Sequence, residues 1–357
     1  MTGFAQPPGM QSSGGPGGGP ASGPPGPAQL TPVVRLAPAK LNLTLAVVGV
    51  RPDGYHDLHS VFVPLALADR LSLAPAAGGE DTLHVTGFDA GPTAGNLVLR
   101  AIAATRNEIR GAWPGRPGPA PALAARGEKR IPVAAGLAGG SSDAAAALDG
   151  ALEAWGAELD APARLSIALG LGSDVPFFLA SGGPALVEGR GDLVAPLHGL
   201  HGAPGVLLVT PAVAVPTGDV FAAFDAIRGH GDPSVRLSST HLAEELRSKL
   251  SASDLVARAG ALAMANDLLP ATALVVPALV PFRRALSRLL GRPLGLSGSG
   301  PTLWALYPSQ SEAEAAADLV REALTTQTIT PPGNGDPTVI ATTIVQHHDQ
   351  HHSGRQP

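Results

Sequence analysis

The stretch from Ile131 to Leu148, IPVAAGLAGGSSDAAAAL, places three glycines and two serines directly before an alanine run. Glycine adopts positive φ readily and lets the backbone approach a ligand closely. Serine caps helices and alanine propagates them, so the stretch predicts a tight loop followed by a helix from about Ser142 to Trp155. The N–H groups and the dipole at such a helix start favour an anion.

Composition leaves a second interpretation of this loop open. The chain contains 45 glycines and 36 prolines in 357 residues, so a glycine-rich loop needs no special function. The stretch also lacks the Gly-Lys-Ser/Thr of a Walker A loop and the spacing of a dinucleotide fingerprint. From composition alone, a phosphate site and an ordinary loop with a helix cap are equally good interpretations.

The remaining composition excludes several classes of protein. Cysteine is absent, which excludes disulfides, thiolate metal sites and a cysteine nucleophile. The formal net charge is −5, so there is no basic surface of the kind that binds nucleic acid. No apolar run approaches the ~20 residues that span a bilayer, and the first residues do not resemble a signal peptide. We expect a cytoplasmic protein with no nucleic-acid or membrane partner, present as a monomer or homodimer.

Strand and helix patterns are mixed in both halves of the chain, which predicts an α+β protein. Two strands are expected at 61–67 and 70–73, separated by Ala68-Asp69, and a helix is expected over 96–110. A later helix ends near Leu290 and starts at Pro277 or Pro281, and the polar segment 229–253 is expected to contain helices. The expected organisation is a disordered Gly/Pro-rich segment 1–30, an N-terminal domain 31–200, a C-terminal domain 205–345 and a polar tail 346–357.

Two short segments near the start combine groups that bind hydroxyls and flat rings. Lys40 and Asn42 alternate along a strand-like segment, so their side chains share a face. The turn Pro52-Asp53-Gly54 then presents Tyr55 and His56 at its exit, where they suit stacking and hydrogen bonding to a base. The alternative is a surface lysine followed by a solvent-facing turn.

Two further segments add an acid and a second small-residue loop. Asp174, in LGSDVPFF, has apolar neighbours, so it is either desolvated or paired with a cation such as Lys40. Both conditions suit a group that accepts a hydroxyl proton, although an Asp that caps the next turn is the alternative. The loop LSGSGPT, which contains Gly298 and Ser299, can approach a phosphate or the first loop, or form a plain hairpin.

Taken together and in this order, these segments resemble the GHMP kinase superfamily over residues 33–345. The resemblance is closest to the members that phosphorylate 4-diphosphocytidyl-2-C-methyl-D-erythritol. The segment PAKLNLTLAVVGVRPDGYHDLHSVFVPLALADRL is similar to their N-terminal signature, and its Asp-Gly-Tyr-His element is the most discriminating part. The glycine-rich loop is similar to the family's ATP loop, LGSDVPFF to its catalytic-aspartate segment, and LGLSGSGPTLWAL to its third motif. Asn266-Asp267-Leu268 also resembles a family feature.

The resemblance implies a fold and a reaction. The fold is an N-terminal domain like ribosomal protein S5 domain 2 and a ferredoxin-like C-terminal domain. The reaction is phosphorylation by ATP, with Mg²⁺, of the substrate's 2-hydroxyl, in the non-mevalonate pathway to isoprenoid precursors. It implies catalytic roles for Asp174 as the base and Lys40 as its partner, and substrate contacts for Asn42, Tyr55 and His56.

The resemblance also implies the residues that hold the triphosphate. Ser142 is a possible Mg²⁺ contact, while the set of metal ligands is left open. Gly298 and Ser299 belong to the third motif. The implied ATP-binding residues are Pro132, Ala134, Ala135, Gly136, Leu137, Ala138, Gly139, Gly140, Ser141 and Ser142.

Two positions depart from the family pattern, and two other classes of protein stay open. Ala138 stands where the family often has glycine, and Asp143 where it often has asparagine, so we expect a reduced nucleotide affinity without loss of activity. The alternatives are a GHMP kinase for homoserine, a mevalonate derivative or a sugar, and an inactive ATP-binding sensor. The element Asp53-Gly54-Tyr55-His56 argues against the first alternative, and the presence of Lys40 and Asp174 argues against the second.

Overall fold

The computed structural model describes residues 1–3, 32–109, 120–180, 182–227 and 229–346. The predicted disordered segment 1–30 and polar tail 346–357 lie almost entirely outside these ranges. The described residues between 32 and 346 form one compact unit, and the following paragraphs concern that unit.

One long strand, β3 (His56–Pro75), organises the first sheet because both of its edges are occupied twice. Strands β1 and β2 pair with one edge and β5 and β6 with the other, all antiparallel, while β4 pairs parallel to β5. The sheet order is β4-β5-β3-β6-β7, with β1 and β2 beside β3. The other strands are β1 Val33–Asn42, β2 Ala46–Val50, β4 Thr82–Gly87, β5 Leu123–Lys129, β6 Ala185–Gly189 and β7 Leu193–Pro196.

The prediction of a break at Ala68-Asp69 was wrong, since β3 runs through both residues. Asp69 is 1% exposed, and its carboxylate accepts hydrogen bonds from the Lys129 ammonium and from the N–H groups of Arg130 and Ile131. A buried aspartate with these partners is compatible with a strand interior. Local sequence patterns do not reveal such distant partners.

Four helices accompany the first sheet. The predicted 96–110 helix is confirmed in its main part, and the Asn96 side chain caps it by accepting from the Val98 N–H. The predicted helix after the glycine-rich loop is also confirmed, but it begins three residues earlier, at Gly139. A short helix that follows Asp174 was not predicted. The helices are α1 Leu97–Glu108, α2 Gly139–Trp155, α3 Ala161–Leu171 and α4 Val175–Ala180.

The second sheet is a four-stranded antiparallel sheet in the order β11-β12-β9-β13. A two-stranded parallel pair, β8 Leu200–His201 and β10 Leu250–Ser251, lies outside it. The predicted helix that ends at Leu290 begins at Leu279, with Pro281 in its first turn. The sheet strands are β9 Gly205–Thr210, β11 Gly295–Leu296, β12 Leu303–Tyr307 and β13 Thr338–Thr343. The helices are α5 Thr217–Ile227, α6 Pro233–Ser248, α7 Ala252–Ala257, α8 Ala259–Leu262, α9 Leu269–Val275, α10 Leu279–Leu290 and α11 Gln310–Thr325.

A shared hydrophobic core joins the two sheets. Leu41 and Leu65 from the first sheet belong to the same buried cluster as Leu208 and Trp304 from the second. The α+β class is confirmed, whereas the domain boundary near residue 200 stays a prediction. Among the described residues, no single helix is both long and apolar enough to cross a membrane. The bent pair α9–α10 meets that test of length and composition only when both helices are taken together.

Candidate active site

A cavity of about 1050 Å³ opens where β1, β3, the start of α2, the loop before α4 and the β11–β12 hairpin meet α5. Most of the predicted site residues line it, and Leu137 and Ser142 are the exceptions. The predicted residues that line the cavity are Lys40, Asn42, Tyr55, His56, Pro132, Ala134, Ala135, Gly136, Ala138, Gly139, Gly140, Ser141, Asp174, Gly298 and Ser299.

Lys40 and Asp174 lie side by side in the middle of this cavity. The Lys40 Nζ is 3.8 Å from a carboxylate oxygen of Asp174 and donates a 2.7 Å hydrogen bond to the Asn42 Oδ1. The Lys40 side chain is 5% exposed, and burial lowers the pKa of its ammonium, while the Asp174 charge acts in the opposite direction. The Asp174 side chain is 32% exposed and therefore reaches the cavity. A substrate hydroxyl between these two groups would meet a donor and a proton acceptor together.

The glycine-rich loop is tied to β1 and turns sharply into α2. The Lys40 N–H donates to the Leu137 carbonyl oxygen at 3.0 Å, so the loop and the lysine keep a fixed relation. Ala138 immediately precedes α2 and has φ 55° and ψ 31°, with no side-chain cap. Ala138 therefore has the left-handed backbone conformation that favours glycine. The first turn of α2 consequently presents free N–H groups next to the cavity.

The third motif, which forms the β11–β12 hairpin of the second sheet, contacts the glycine-rich loop. The Ser297 hydroxyl donates to the Gly136 carbonyl oxygen at 3.0 Å. Gly136 has φ 77°, and a Cβ there would overlap the Ser297 carbonyl oxygen, so only glycine fits. The Asn266 side-chain amide donates to the carbonyl oxygens of Leu296 and Gly298 at 3.0 and 2.9 Å. The Asn266 element noted in the sequence thus supports the hairpin.

A buried charge cluster lies beneath the loop, and its centre, Lys129, was not identified from the sequence. The Lys129 ammonium donates to Asp69 and, at 2.6 Å, to Asp143. Burial raises the pKa of the Asp143 carboxyl to about 6, although the Lys129 charge opposes this effect. Asp143 is thus paired with a cation rather than left beside a triphosphate as a free charge.

Tyr55 and His56 lie at the α5 end of the cavity. His56 is buried, and its ring stacks on the Phe221 ring with centroids 4.6 Å apart. Its Nε2 is 2.8 Å from the Asp225 Oδ1. The Tyr55 side chain is exposed, with the Arg190 guanidinium 5.8 Å from its ring centroid.

Phe221, Asp225 and Arg190 were missed because their own sequence context carries no motif. The spacing of Phe221 and Asp225, four residues apart on a helix, does predict a common face. Only the packing of α5 against β3 shows that this face meets His56. Of the described residues that line the cavity, the lysines and arginines are Lys40, Lys129 and Arg190.

Comparisons with known proteins agree with this geometry. Residues 96–182 match the family described as GHMP kinases N terminal domain, and residues 243–325 match GHMP kinases C terminal. A 4-diphosphocytidyl-2-C-methyl-D-erythritol kinase of Pelotomaculum thermopropionicum is 36% identical over 307 residues, which cover 84% of this chain and 99% of the relative. A kinase of the same name from Deinococcus radiodurans is 37% identical and covers 81% of this chain and 89% of its own length.

Solved structures show the same fold. The crystal structure of a 4-(cytidine 5'-diphospho)-2C-methyl-D-erythritol kinase has a TM-score of 0.61 and 31% identity, and covers 88% of this chain and 100% of its own. A homoserine kinase from Cytophaga hutchinsonii has the same TM-score of 0.61 at 17% identity over 88% of this chain and 95% of its own, so it shares the fold alone. With the two-domain GHMP kinase fold and relatives matched over nearly their full length, this chain belongs to the GHMP kinase family, among the 4-diphosphocytidyl-2-C-methyl-D-erythritol kinases.

Proposed function

We propose that this chain transfers the γ-phosphoryl group of ATP to the 2-hydroxyl of 4-diphosphocytidyl-2-C-methyl-D-erythritol. The observation that carries the proposal is one cavity with three chemically different parts. The glycine-rich loop and the start of α2 form an anion site, Lys40 and Asp174 lie in the middle, and His56 with Phe221 forms an aromatic end. Such a cavity can hold the phosphates of ATP at the anion site, the acceptor hydroxyl beside Lys40 and Asp174, and the cytosine ring at the aromatic end. A cytoplasmic location and a monomeric or homodimeric state remain predictions from the sequence.

In this mechanism Asp174 accepts the proton of the 2-hydroxyl as the hydroxyl oxygen attacks the γ-phosphorus, while the bond from that phosphorus to the β,γ-bridging oxygen breaks and ADP leaves. Lys40 holds both the hydroxyl oxygen and the Asp174 carboxylate, and Asn42 keeps Lys40 in place through the 2.7 Å hydrogen bond. Residues 132 and 134–142 wrap the triphosphate, while Gly298 and Ser299 close the site from the other sheet. Tyr55 and His56 bind the cytosine. Catalysis then depends on position and charge, as phosphoryl transfer generally does.

Mg²⁺ fits one feature of the loop. The Ser142 hydroxyl is fully buried in the first turn of α2 and has no hydrogen-bond partner among the described residues. No group of three or more His, Asp or Glu side chains is gathered there or elsewhere in the described ranges. Mg²⁺ in kinases is commonly held by few protein groups, by waters and by the substrate phosphates, and the Ser142 hydroxyl would be one of those protein groups. When bound, Mg²⁺ neutralises charge on the phosphate oxygens.

The experiment is turnover of the purified substrate with ATP, followed by ³¹P NMR of the product. Asp174→Asn should lower kcat by at least about a hundredfold while ATP binding persists, because the base is removed and the loop is not. Asp318→Asn, at an exposed carboxylate on α11, is the matched control and should retain full activity. Absence of turnover in the wild-type enzyme, or full activity in Asp174→Asn, contradicts the proposal.

A further inference from the structure

Asp225 also lines the cavity, at its aromatic end, and its carboxylate is paired with His56. The His56 side chain is 7% exposed, and its Nε2 is 2.8 Å from the Asp225 Oδ1. Asp225 projects from α5, and Phe221 one turn earlier stacks on the same imidazole at an interplanar angle of 25°. Phe224, which is fully buried, meets that ring edge-on from 6.0 Å. The ring is therefore held by one helix on its face, its edge and one nitrogen.

We propose that Asp225 is a positioning residue that fixes the tautomer of His56 and thereby selects cytosine over uracil. This inference rests on the proposed function. A carboxylate at neutral pH only accepts hydrogen bonds, so the neutral imidazole places its proton on Nε2 and points it at Asp225. Its Nδ1 then carries a lone pair. Among the described residues, no hydrogen bond reaches that atom.

The lone pair on Nδ1 distinguishes the two pyrimidines by their C4 substituents. Cytosine carries an amino group at C4, which donates a hydrogen bond to Nδ1. Uracil carries a carbonyl oxygen at C4, which meets the lone pair with no proton between them. A site that leaves a buried polar group unpaired rejects the wrong ligand strongly. Asp225 acts on this choice through His56 and does not itself touch the base.

The tautomer is measured directly by ¹⁵N NMR of histidine-labelled protein, with His56→Gln to assign the signal. The wild-type protein should show His56 with the proton on Nε2 and none on Nδ1. In Asp225→Asn both tautomers should be populated, because the amide can donate or accept. A wild-type His56 that carries its proton on Nδ1, or on both nitrogens, overturns the inference without reference to activity.

Base selectivity is measured with CDP and UDP as competitors of the diphosphocytidyl substrate at saturating ATP. In Asp225→Asn the ratio of the UDP to the CDP inhibition constant should fall about tenfold, and the substrate KM should rise while kcat stays within about twofold. Asp219→Asn, at an exposed carboxylate on the same helix, is the control that leaves both quantities unchanged. If the wild type turns over but Asp225→Asn has the same ratio of UDP to CDP inhibition constants as the wild type, this inference alone is contradicted. Absence of wild-type turnover contradicts the proposed function instead.

Discussion

The backbone conformation of Ala138 strains alanine, whereas glycine adopts it without strain. Its φ of 55° lies in the left-handed region, which costs a non-glycine residue about 1 kcal/mol or more. The loop nevertheless adopts the turn that the phosphate site needs, so the penalty falls on stability rather than on the shape of the site. Part of any gain from glycine is offset by the greater freedom of the unfolded chain.

Ala138→Gly should therefore raise the free energy of unfolding by about 0.5–1 kcal/mol and leave the ATP dissociation constant within about twofold. Urea denaturation and calorimetric titration measure the two quantities. Gln327→Gly is the matched control, since Gln327 has the same φ of 55° but lies after α11, outside the cavity. A large gain in ATP affinity in Ala138→Gly alone would show that the methyl group obstructs the nucleotide.

Asp143 gives the stability of the protein a dependence on pH. Burial raises the pKa of its carboxyl from 3.8 to about 6, so the folded chain binds this proton more tightly than the unfolded chain does. The stabilisation is fully present below the unfolded value near 3.8, and it is lost as the pH rises through about 6.

Asp143→Asn removes that titration and keeps an acceptor for Lys129. Between about pH 4 and pH 7, its stability relative to the wild type should rise by up to roughly 2–3 kcal/mol. Urea denaturation across this range measures the difference, and Asp318→Asn, whose side chain is 79% exposed in the wild type, should leave the slope unchanged. A difference that stays constant or decreases with pH would contradict the assignment of the titration to Asp143.

At the scale of elements, α2 lies so close to β3 that one of its residues has no room for a side chain. A Cβ on Gly150 would overlap the Cδ1 of Leu73, which is completely buried in β3. Gly170, in α3, has open space around the same position. Alanine substitutions at Gly150 and Gly170 therefore distinguish the effect of helix propensity from the effect of packing against the sheet.

Gly150→Ala should lower the free energy of unfolding by about 1–2 kcal/mol, because overpacking outweighs the gain in helix propensity. Gly170→Ala should raise it by up to about 1 kcal/mol, since only the propensity term applies there. Chemical denaturation of both variants decides the matter. Stabilisation by both substitutions would show that α2 shifts away from β3 easily, and the anion site at its start would then be less rigid than the structure indicates.

The elements were predictable where local chemistry decides them. The helical spacing of Leu97, Ile102 and Ile109 identifies α1, and the alanine run after Ser142 identifies α2. The predicted break at Asp69 is wrong, because the sequence cannot show that Lys129 and two backbone N–H groups lie opposite its carboxylate. The strand depends on tertiary partners that override a poor local propensity.

At the scale of the whole molecule, the motifs identified the loop, Lys40 and Asp174, and the resemblance brought them together. The cavity's aromatic end was only half predictable. His56 stands in a recognisable element, whereas Phe221 and Asp225 act through the packing of a helix from the second half of the chain. Composition and spacing contain no information on that contact. Site residues that lie far from His56 in the sequence could therefore be identified only from the structure.

The site has walls from both sheets, and its geometry depends on the core that joins them. Ile344 is fully buried in the cluster that contains Leu65, and the two residues form an isolated bridge between β3 and the end of β13. The Thr342 hydroxyl adds a hydrogen bond at 2.9 Å from the Leu67 N–H. A cavity at Ile344 should weaken the two sheets together rather than β13 alone.

Ile344→Ala should lower the free energy of unfolding by about 2–4 kcal/mol, whereas Ile227→Ala, at an exposed residue that ends α5, should change it by less than about 0.5 kcal/mol. Hydrogen-exchange mass spectrometry reports where the stability is lost. We expect amides of β3 and β9 to exchange faster by the same factor, because a shared core transmits the loss to both sheets. Faster exchange confined to β13 would show that the two halves are stable independently. The alignment of Lys40 and Asp174 with the third motif would then require a bound ligand.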